Sequence, residues 1–552
     1  MILLMFSFKK LTIGLVLGLL IIPSFSFAWS QTATLNVDPN YDLSGRNQIE
    51  TQLLKTTNKI YFYADKDWYQ TFSQKSELDS KLYNLASDFE YKIYPTLTNL
   101  LGSEDNPGVD NDSRIIIVLE PLKDNYGGYI QSGDEYSRTQ YKNSNEGQII
   151  YLNANVITKA DLNFLDYELA HEFTHLIEIK QRPEIDTWFA ELLAEWAPNY
   201  LNYDLQGNIL KKRTQAMVYS AELNLLDWKN NELDYGKVKL LSLYLTEQFG
   251  NNFLPEVFKH PAKDVFIAFN EILKGYNSAL TFNNVYLNWL ITNIINDCQI
   301  KQEYCYQNQF LKDFHIIAYN YYLPMQYHSL MSITDSLKTG TSKVQKLNGG
   351  KGILDLQFTI PLETPIQKIP YIIEDNTGRK TIGFLDFSSV NIQDIFVEKM
   401  SEQNIAVYFI PFIGFNNPSE KIYYYSWKAT NVDSNSQTEQ KLIEKLQQQI
   451  EELKRQLAQL QLQLAMQKTN QTNQSCSLVF SQDLYYGLTS LEVKCLQQFL
   501  ANLGNNIYPE KLITGYYGSL TKAAVQRYQA LKGIITTGYF GPLTRAKVNQ
   551  EL

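Results

Sequence analysis

Cysteine and histidine are both scarce in this sequence, four and five among 552 residues. No two cysteines stand in a Cys-x-x-Cys spacing, which argues against a thiolate-bound zinc. With so few histidines, any two at a fixed short spacing are informative. A charge excess of one sign is also lacking: Lys+Arg 49 against Asp+Glu 58 leaves −9. No basic block is long enough to track a phosphate backbone, so nucleic acid is not the expected partner. Hydrophobic residues at 44 % and charged residues at 19 % match ordinary globular usage, which excludes wholesale disorder and a many-span membrane protein. At roughly 100–200 residues per domain, the length predicts about three to five domains rather than one core.

What is present begins with Lys9 and Lys10, then residues 11–22, apolar except for Thr12, then Pro23 and the stretch 24–28. This is the pattern of a secretory signal peptide, residues 1–28, with cleavage after Ala28. The alternative is an uncleaved anchor, but the run is shorter than the ~20 residues that span a bilayer. Export to an oxidising compartment permits disulfides, and closeness in sequence pairs Cys298 with Cys305 and Cys476 with Cys495.

Residues 29–201 mix helical spacing with short β runs at 115–119 and 149–152, which predicts an α+β unit. Residues 202–325 keep a helical pattern, for example Val238, Leu241, Tyr244 and Leu245, and predict a helical subdomain. Between 330 and 430 alternating strands such as 353–358 and 405–409, with Gly, Asn and Pro between them, predict a β-sandwich module. The polar run from Asn431 to Glu439 reads as a linker. Ile443, Leu446, Ile450, Leu453, Leu457, Leu460 and Leu464 then advance by alternating steps of three and four. These are the a and d positions of a coiled coil over 436–467. Isoleucine at the first two a sites favours a parallel homodimer, leucine at the last two weakens that preference, and a single amphipathic spacer helix is the alternative.

The string Thr514-Gly515-Tyr516-Tyr517-Gly518 and the helix after it recur at Thr537-Gly538-Tyr539-Phe540-Gly541. Each copy is a glycine turn entering a helix, and an earlier helix carries Val493, Leu496, Phe499 and Leu500, so the repeat predicts a small three-helix bundle. Residues 476–552 resemble the peptidoglycan-binding domain appended to many bacterial cell-wall hydrolases, through the helix at 496–500 and the helix at 524–529. The resemblance implies a cell-wall glycan or stem peptide as partner.

His171-Glu172-Phe173-Thr174-His175 is an H-E-x-x-H string in a helical run. The i, i+4 spacing puts both imidazoles on one face, as two zinc ligands require, and sets Glu172 beside them to take a proton from water. A third protein ligand is needed. Metzincin spacing is excluded, because Glu178 and Gln181 stand where that family needs Gly and the third His. The next helix, begun by Asp186-Thr187 and stopped by Pro198, carries Glu191 and Glu195 at i, i+4. Paired carboxylates on an apolar helix are costly to bury without a cation. Glu191 is therefore the expected third ligand and Glu195 the carboxylate that fixes a histidine tautomer. Asp186 is an alternative ligand, and a surface charge is the alternative for Glu195.

The two helices resemble the gluzincin zinc peptidases, whose second motif places the ligand Glu after a Trp-containing tripeptide. The strings Asn106-Pro107-Gly108-Val109-Asp110-Asn111-Asp112, Gly127-Gly128-Tyr129 and Ser132-Gly133-Asp134-Glu135-Tyr136 resemble secreted bacterial metallopeptidases of the hyicolysin and immune inhibitor A type. Leu192 departs from the usual Gly after the ligand, and the gap from His175 to Glu191 is short. The resemblance implies a zincin-like α+β catalytic domain, a rim strand at 149–152 that holds extended peptide, and a catalytic tyrosine at the Tyr-Gly helix start, Tyr235, for which a packing role is the alternative among 38 tyrosines. His260, His315 and His328 are further candidates, each with a structural reading favoured. Glu104, Asp105, Asp110 and Asp112 offer oxygen ligands for Ca2+, although a solvated turn is the favoured reading. Together these readings describe a secreted, cell-wall associated zinc metallopeptidase acting on a polypeptide substrate. A peptidoglycan stem-peptide hydrolase and a wall-anchored adhesin with a degenerate zinc site are the rivals.

Overall fold

The computed structural model describes residues 29–432 except 125, 158, 160 and 418–420, residues 479–552, and residues 449, 450, 453, 454, 456 and 476. The expected signal peptide and nearly all of the heptad segment 436–467 lie outside the described residues. The chain divides into two compact units, one ending at Val432 and one beginning at Asp433.

The first unit opens with a six-stranded sheet: β1 (Thr32–Asn36), β2 (Gln48–Thr56), β3 (Ile60–Asp65), β4 (Ile115–Glu120), β5 (Gly128–Ile130) and β6 (Ile149–Asn153), in the order β1-β2-β3-β4-β6-β5. The apolar runs form the centre, β3, β4 and β6, where every residue is buried and neighbouring strands are parallel. Parallel strands need cover on both faces. Phe62, Ile117 and Leu152 meet the helices on one face, while Tyr63, Val118 and Tyr151 pack with Leu35, Val37 and Tyr129 on the other. The expected rim strand at 149–152 is corrected: β6 is paired on both sides, with β4 and with the antiparallel β5, so the edge belongs to Gly128–Ile130.

Helices follow as α1 (Lys66–Thr71), α2 (Lys75–Asp88), α3 (Tyr94–Leu101), α4 (Leu162–Gln181), α5 (Thr187–Tyr200), α6 (Asn208–Val218), α7 (Glu232–Phe249), α8 (Phe253–Lys259), α9 (Val265–Tyr276) and α10 (Phe282–Ile295). The side chain of Asp161 caps α4 by accepting from the Phe164 N–H at 2.8 Å. Pro198 does not stop α5 but sits inside its last turn. So close to the end its ring removes only one donor, and Leu201 N–H still reaches Ala197 O at 3.1 Å. Asn231 and Asp234 form a reciprocal capping box at the start of α7. Gly236 lets α7 approach α6, since a Cβ there would stand 2.5 Å from the Arg213 carbonyl oxygen.

Eleven strands make up the rest of the unit: β7 (Glu222–Asn224), β8 (Tyr319–Leu323), β9 (Leu330–Lys338), β10 (Thr341–Lys343), β11 (Gln345–Gly349), β12 (Gly352–Thr359), β13 (Lys368–Asp375), β14 (Lys380–Asp386), β15 (Ile392–Met400), β16 (Asn404–Phe409) and β17 (Ile422–Val432). The sandwich expectation is met in part. β9-β17-β12-β15 and β14-β13-β16 join at the single pair Met400 and Asn404, giving a near-barrel sheet rather than two separate layers. Phe409 meets Phe358 at 5.1 Å and Trp427 at 5.3 Å inside it. β10 pairs with β7, and Phe412 and Phe415 enter the helical core. The polar run expected to begin a linker at Asn431 instead ends β17: Asn431 is buried and donates to the Pro324 and Gln326 carbonyls, both at 2.8 Å.

The second unit contains helices Leu491–Asn502, Ser519–Leu531 and Pro542–Asn549 around Leu496, Leu500, Val525, Tyr528 and Phe540. Both expected disulfides are formed, Cys298–Cys305 and Cys476–Cys495. Among the described residues no helix is long and apolar enough to cross a membrane.

Candidate metal centre

Helix α4 presents Leu165, Leu169, Phe173, Leu176 and Ile177 to the core. Its polar stripe, His171, Glu172, His175 and Glu178, is covered as well, with His175 the most accessible. The i, i+4 spacing sets the two imidazole centroids 5.0 Å apart. Helix α5 packs on α4 and brings Glu191 opposite them. His171 Nε2 lies 3.4 Å, and His175 Nε2 3.7 Å, from the same oxygen, Glu191 Oε2. Two tetrahedral ligands, each ~2.0–2.1 Å from zinc, stand about 3.3–3.4 Å from one another. Glu191 Oε2 is buried with no hydrogen-bond partner. Among the described residues these three side chains are the group whose ligand atoms converge closely enough to hold a metal ion.

Burial pushes the Glu172 carboxyl up to about 7, against the pull of the two histidines. Glu191 is held below the ordinary carboxylate value: burial opposes its charge, and the imidazoles facing it prevail. His175 is pushed up to about 10, because Glu178 and Glu191 outweigh the desolvation that disfavours its cation. Gly128 on β5 lies over Glu172, where a Cβ would approach Glu172 Cγ to 3.1 Å, so the lack of a side chain lets the sheet edge reach the centre.

The carboxylate that holds a histidine is Glu178, not Glu195. Glu178 Oε2 is 2.7 Å from His175 Nδ1, one turn along the same helix. Glu195 is instead the hub of a buried charge cluster. It accepts from Arg213 Nε at 3.1 Å and from the Tyr167 hydroxyl, and it faces Lys239 Nζ at 3.3 Å. Those two cations override the burial that opposes its charge and hold its carboxyl down at about 2. The i, i+3 spacing of His175 and Glu178 was a signal available in the sequence; nothing there marked Arg213 or Lys239 as partners of Glu195.

Tyr235 sits in the first turn of α7, its ring under the Arg213 guanidinium at 4.5 Å and its hydroxyl donating to Asn230 at 2.8 Å. Burial, then Glu191 and Glu172, raise its pKa. Tyr41, missed in the sequence, is raised to about 12 by burial and then by Glu172, and stacks on Tyr129 of β5 at 4.4 Å. Asp186 precedes α5 and lies outside the converging group. His260 faces Glu271 at 3.3 Å, His315 Nδ1 lies 3.1 Å from the Asp313 carbonyl oxygen, and His328 occupies a left-handed turn. Protein donors engage the acidic turn: Tyr94 with Glu104, Lys180 with Asp105, Trp29 with Asp110, Tyr61 and Arg114 with Asp112.

In the second unit each repeated turn is held by a buried glutamine. Gln497 Oε1 accepts from Gly515 N–H at 2.7 Å while its Nε2 donates to Tyr516 O at 2.9 Å. Gln529 does the same one repeat later, with Gly538 N–H and Tyr539 O, both at 2.8 Å. Residues 489–548 match the family described as "Putative peptidoglycan binding domain". No curated protein matches the chain. The matched segment covers the three helices and both turns, so this domain brings peptidoglycan and cell-wall association into the functional reading.

Proposed function

We propose that the protein is an exported zinc-dependent endopeptidase of the gluzincin type, retained at the cell wall by its C-terminal domain. The observation that carries the reading is the approach of His171 Nε2 and His175 Nε2, at 3.4 and 3.7 Å, to one shared oxygen, Glu191 Oε2. These three residues would hold the ion. When bound, zinc supplies Lewis acidity toward water and a scissile carbonyl. Glu172 takes the proton of the attacking water on its carboxylate and delivers it to the leaving amine. Glu178 keeps His175 in the tautomer whose Nε2 faces the centre. Tyr235 is the candidate donor to the carbonyl oxygen as charge develops there, a role that requires its hydroxyl to leave Asn230. The open edge of β5 pairs with an extended peptide through its main chain.

The peptidoglycan-binding match supports a second reading, in which the scissile bond belongs to a wall stem peptide. Whether the heptad segment 436–467 joins two chains or only spaces the domains is read from sedimentation of the fragment Ser436 to Leu552 as a dimer or a monomer. Digestion of casein and of purified wall by the mature protein, before and after chelation and zinc return, tests the proposal. Chelation should abolish hydrolysis and zinc restore it, and the digested substrate selects between the two readings. Hydrolysis that survives complete metal removal overturns both, and inertness toward both substrates favours the adhesin.

A further inference from the structure

The interior of the C-terminal domain buries Tyr508, Tyr517 and Tyr528 almost completely. Four other tyrosines are left outside: Tyr485 is 53 % exposed, Tyr486 59 %, Tyr516 40 % and Tyr539 43 %. They are gathered by the fold. The segment from Leu484 to Thr489 is bridged at one end to Phe540 and at the other to Tyr516, so it runs from one repeated turn to the other with Tyr485 and Tyr486 on the way. Gly487 N–H adds a bond to Tyr517 O at 3.0 Å between those ends.

Two of the rings are held as well as exposed. Tyr516 and Tyr539 occupy equivalent places in the repeat, each with its carbonyl fixed by the buried glutamine. Each ring lies over the glycine two residues on. A Cβ at Gly541 would stand 2.5 Å from the Tyr539 ring, and one at Gly518 3.4 Å from the Tyr516 ring. The Tyr539 hydroxyl donates to Asp483 at 2.7 Å, and Asp483 is also paired with Arg545 at 2.5 Å. Ordered aromatic rings left half in water on a small domain mark an interaction surface. Asp483 is paired with Arg545, and what the four tyrosines themselves offer is ring faces and phenol hydroxyls. Sugar rings present C–H faces to stack and hydroxyls to bond, and two equivalent turns suit a polymer of repeating units.

We propose that Tyr485, Tyr486, Tyr516 and Tyr539 form an aromatic platform that takes the glycan strand of peptidoglycan, a chain of β-linked N-acetylated amino sugars. The proposal rests on the reading of this domain as wall-binding and adds the face used and the wall component recognised. The test uses the full mature protein, purified peptidoglycan, a soluble N-acetylglucosamine oligosaccharide and a soluble stem peptide. Wild type should bind the wall and the oligosaccharide. Tyr485→Ala with Tyr486→Ala should weaken both by about tenfold or more, with the domain's unfolding midpoint unchanged, and the corresponding Phe variant should retain binding. Undiminished wall binding by the Ala variant, or binding of the stem peptide in preference to the oligosaccharide, overturns the platform alone. Failure of wild type to bind peptidoglycan overturns the reading of the domain and the platform with it.

Discussion

His175 and Glu178 are joined through Nδ1 and Oε2 at 2.7 Å on a single helix. The ring that turns its Nε2 toward Glu191 is therefore aimed by a carboxylate one turn away on α4. Glu178→Ala should leave all three proposed ligands in place and still weaken zinc binding by ~10–100-fold, the usual cost of removing such a partner. Competition against a chelator of known affinity measures this. An unchanged zinc affinity would show that Glu178 is only a packing group.

Glu191 and Glu195 stand one turn apart on α5 and should fail in different ways. Glu191→Ala removes a ligand and should abolish tight zinc binding while folding is kept. Glu195→Ala leaves Lys239 buried without its carboxylate and Arg213 with Glu232 alone, and breaking a buried pair on one side costs about 3–5 kcal/mol. Thermal unfolding of the metal-free variants separates the two: Glu195→Ala should melt well below wild type, and Glu191→Ala close to it. The reverse order would exchange their roles.

Much of this centre was legible in sequence because it is local. The H-E-x-x-H spacing fixes which helical face carries His171 and His175, and Glu191 was found on the next helix from the cost of burying paired acids. The partners of Glu195 were not legible, since Arg213 and Lys239 arrive from α6 and α7 and no local pattern predicts which buried acid a distant cation will meet. The rim strand failed for a related reason. Residues 149–152 and 128–130 are both short apolar runs, and which of them forms the edge depends on pairing with β4, a long-range choice. Pro198 misled as a stop signal because a proline in the last turn costs little. In the C-terminal domain the repeat carried the fold almost entirely, whereas the two buried glutamines became meaningful only once their turns were seen.

Asp166 gives a pH prediction. It is buried on α4 beside Asp88, and burial followed by that second carboxylate pushes it from 3.8 up to about 8. Between those values the folded protein holds a proton that the unfolded chain has released, so stability falls as pH rises through the window. Asp166→Asn removes this titration. Its unfolding midpoint should fall less than that of wild type between about pH 5 and pH 8, and an equal fall in both proteins would contradict the assignment.

The Cys476–Cys495 bond closes a separation of 19 residues in a small domain. Its loss through a Cys476→Ser, Cys495→Ser pair should destabilise that domain by about 3 kcal/mol, read from denaturant unfolding. The Cys298–Cys305 bond spans only 7 residues and should matter less. Free thiols at 476 and 495 in a non-reduced peptide map of the purified protein would refute the pairing.

Zinc content and peptidase activity of Glu172→Gln, measured beside wild type, separate metal binding from catalysis at this centre. Glu172 is buried next to both histidines but stands outside the three-residue ligand group. Both proteins should carry one zinc per chain, with hydrolysis reduced by a factor on the order of 10²–10⁴ or more in the variant, the contribution of a positioned general base. Undiminished hydrolysis by Glu172→Gln, or wild-type protein that binds no zinc, would contradict the proposed mechanism.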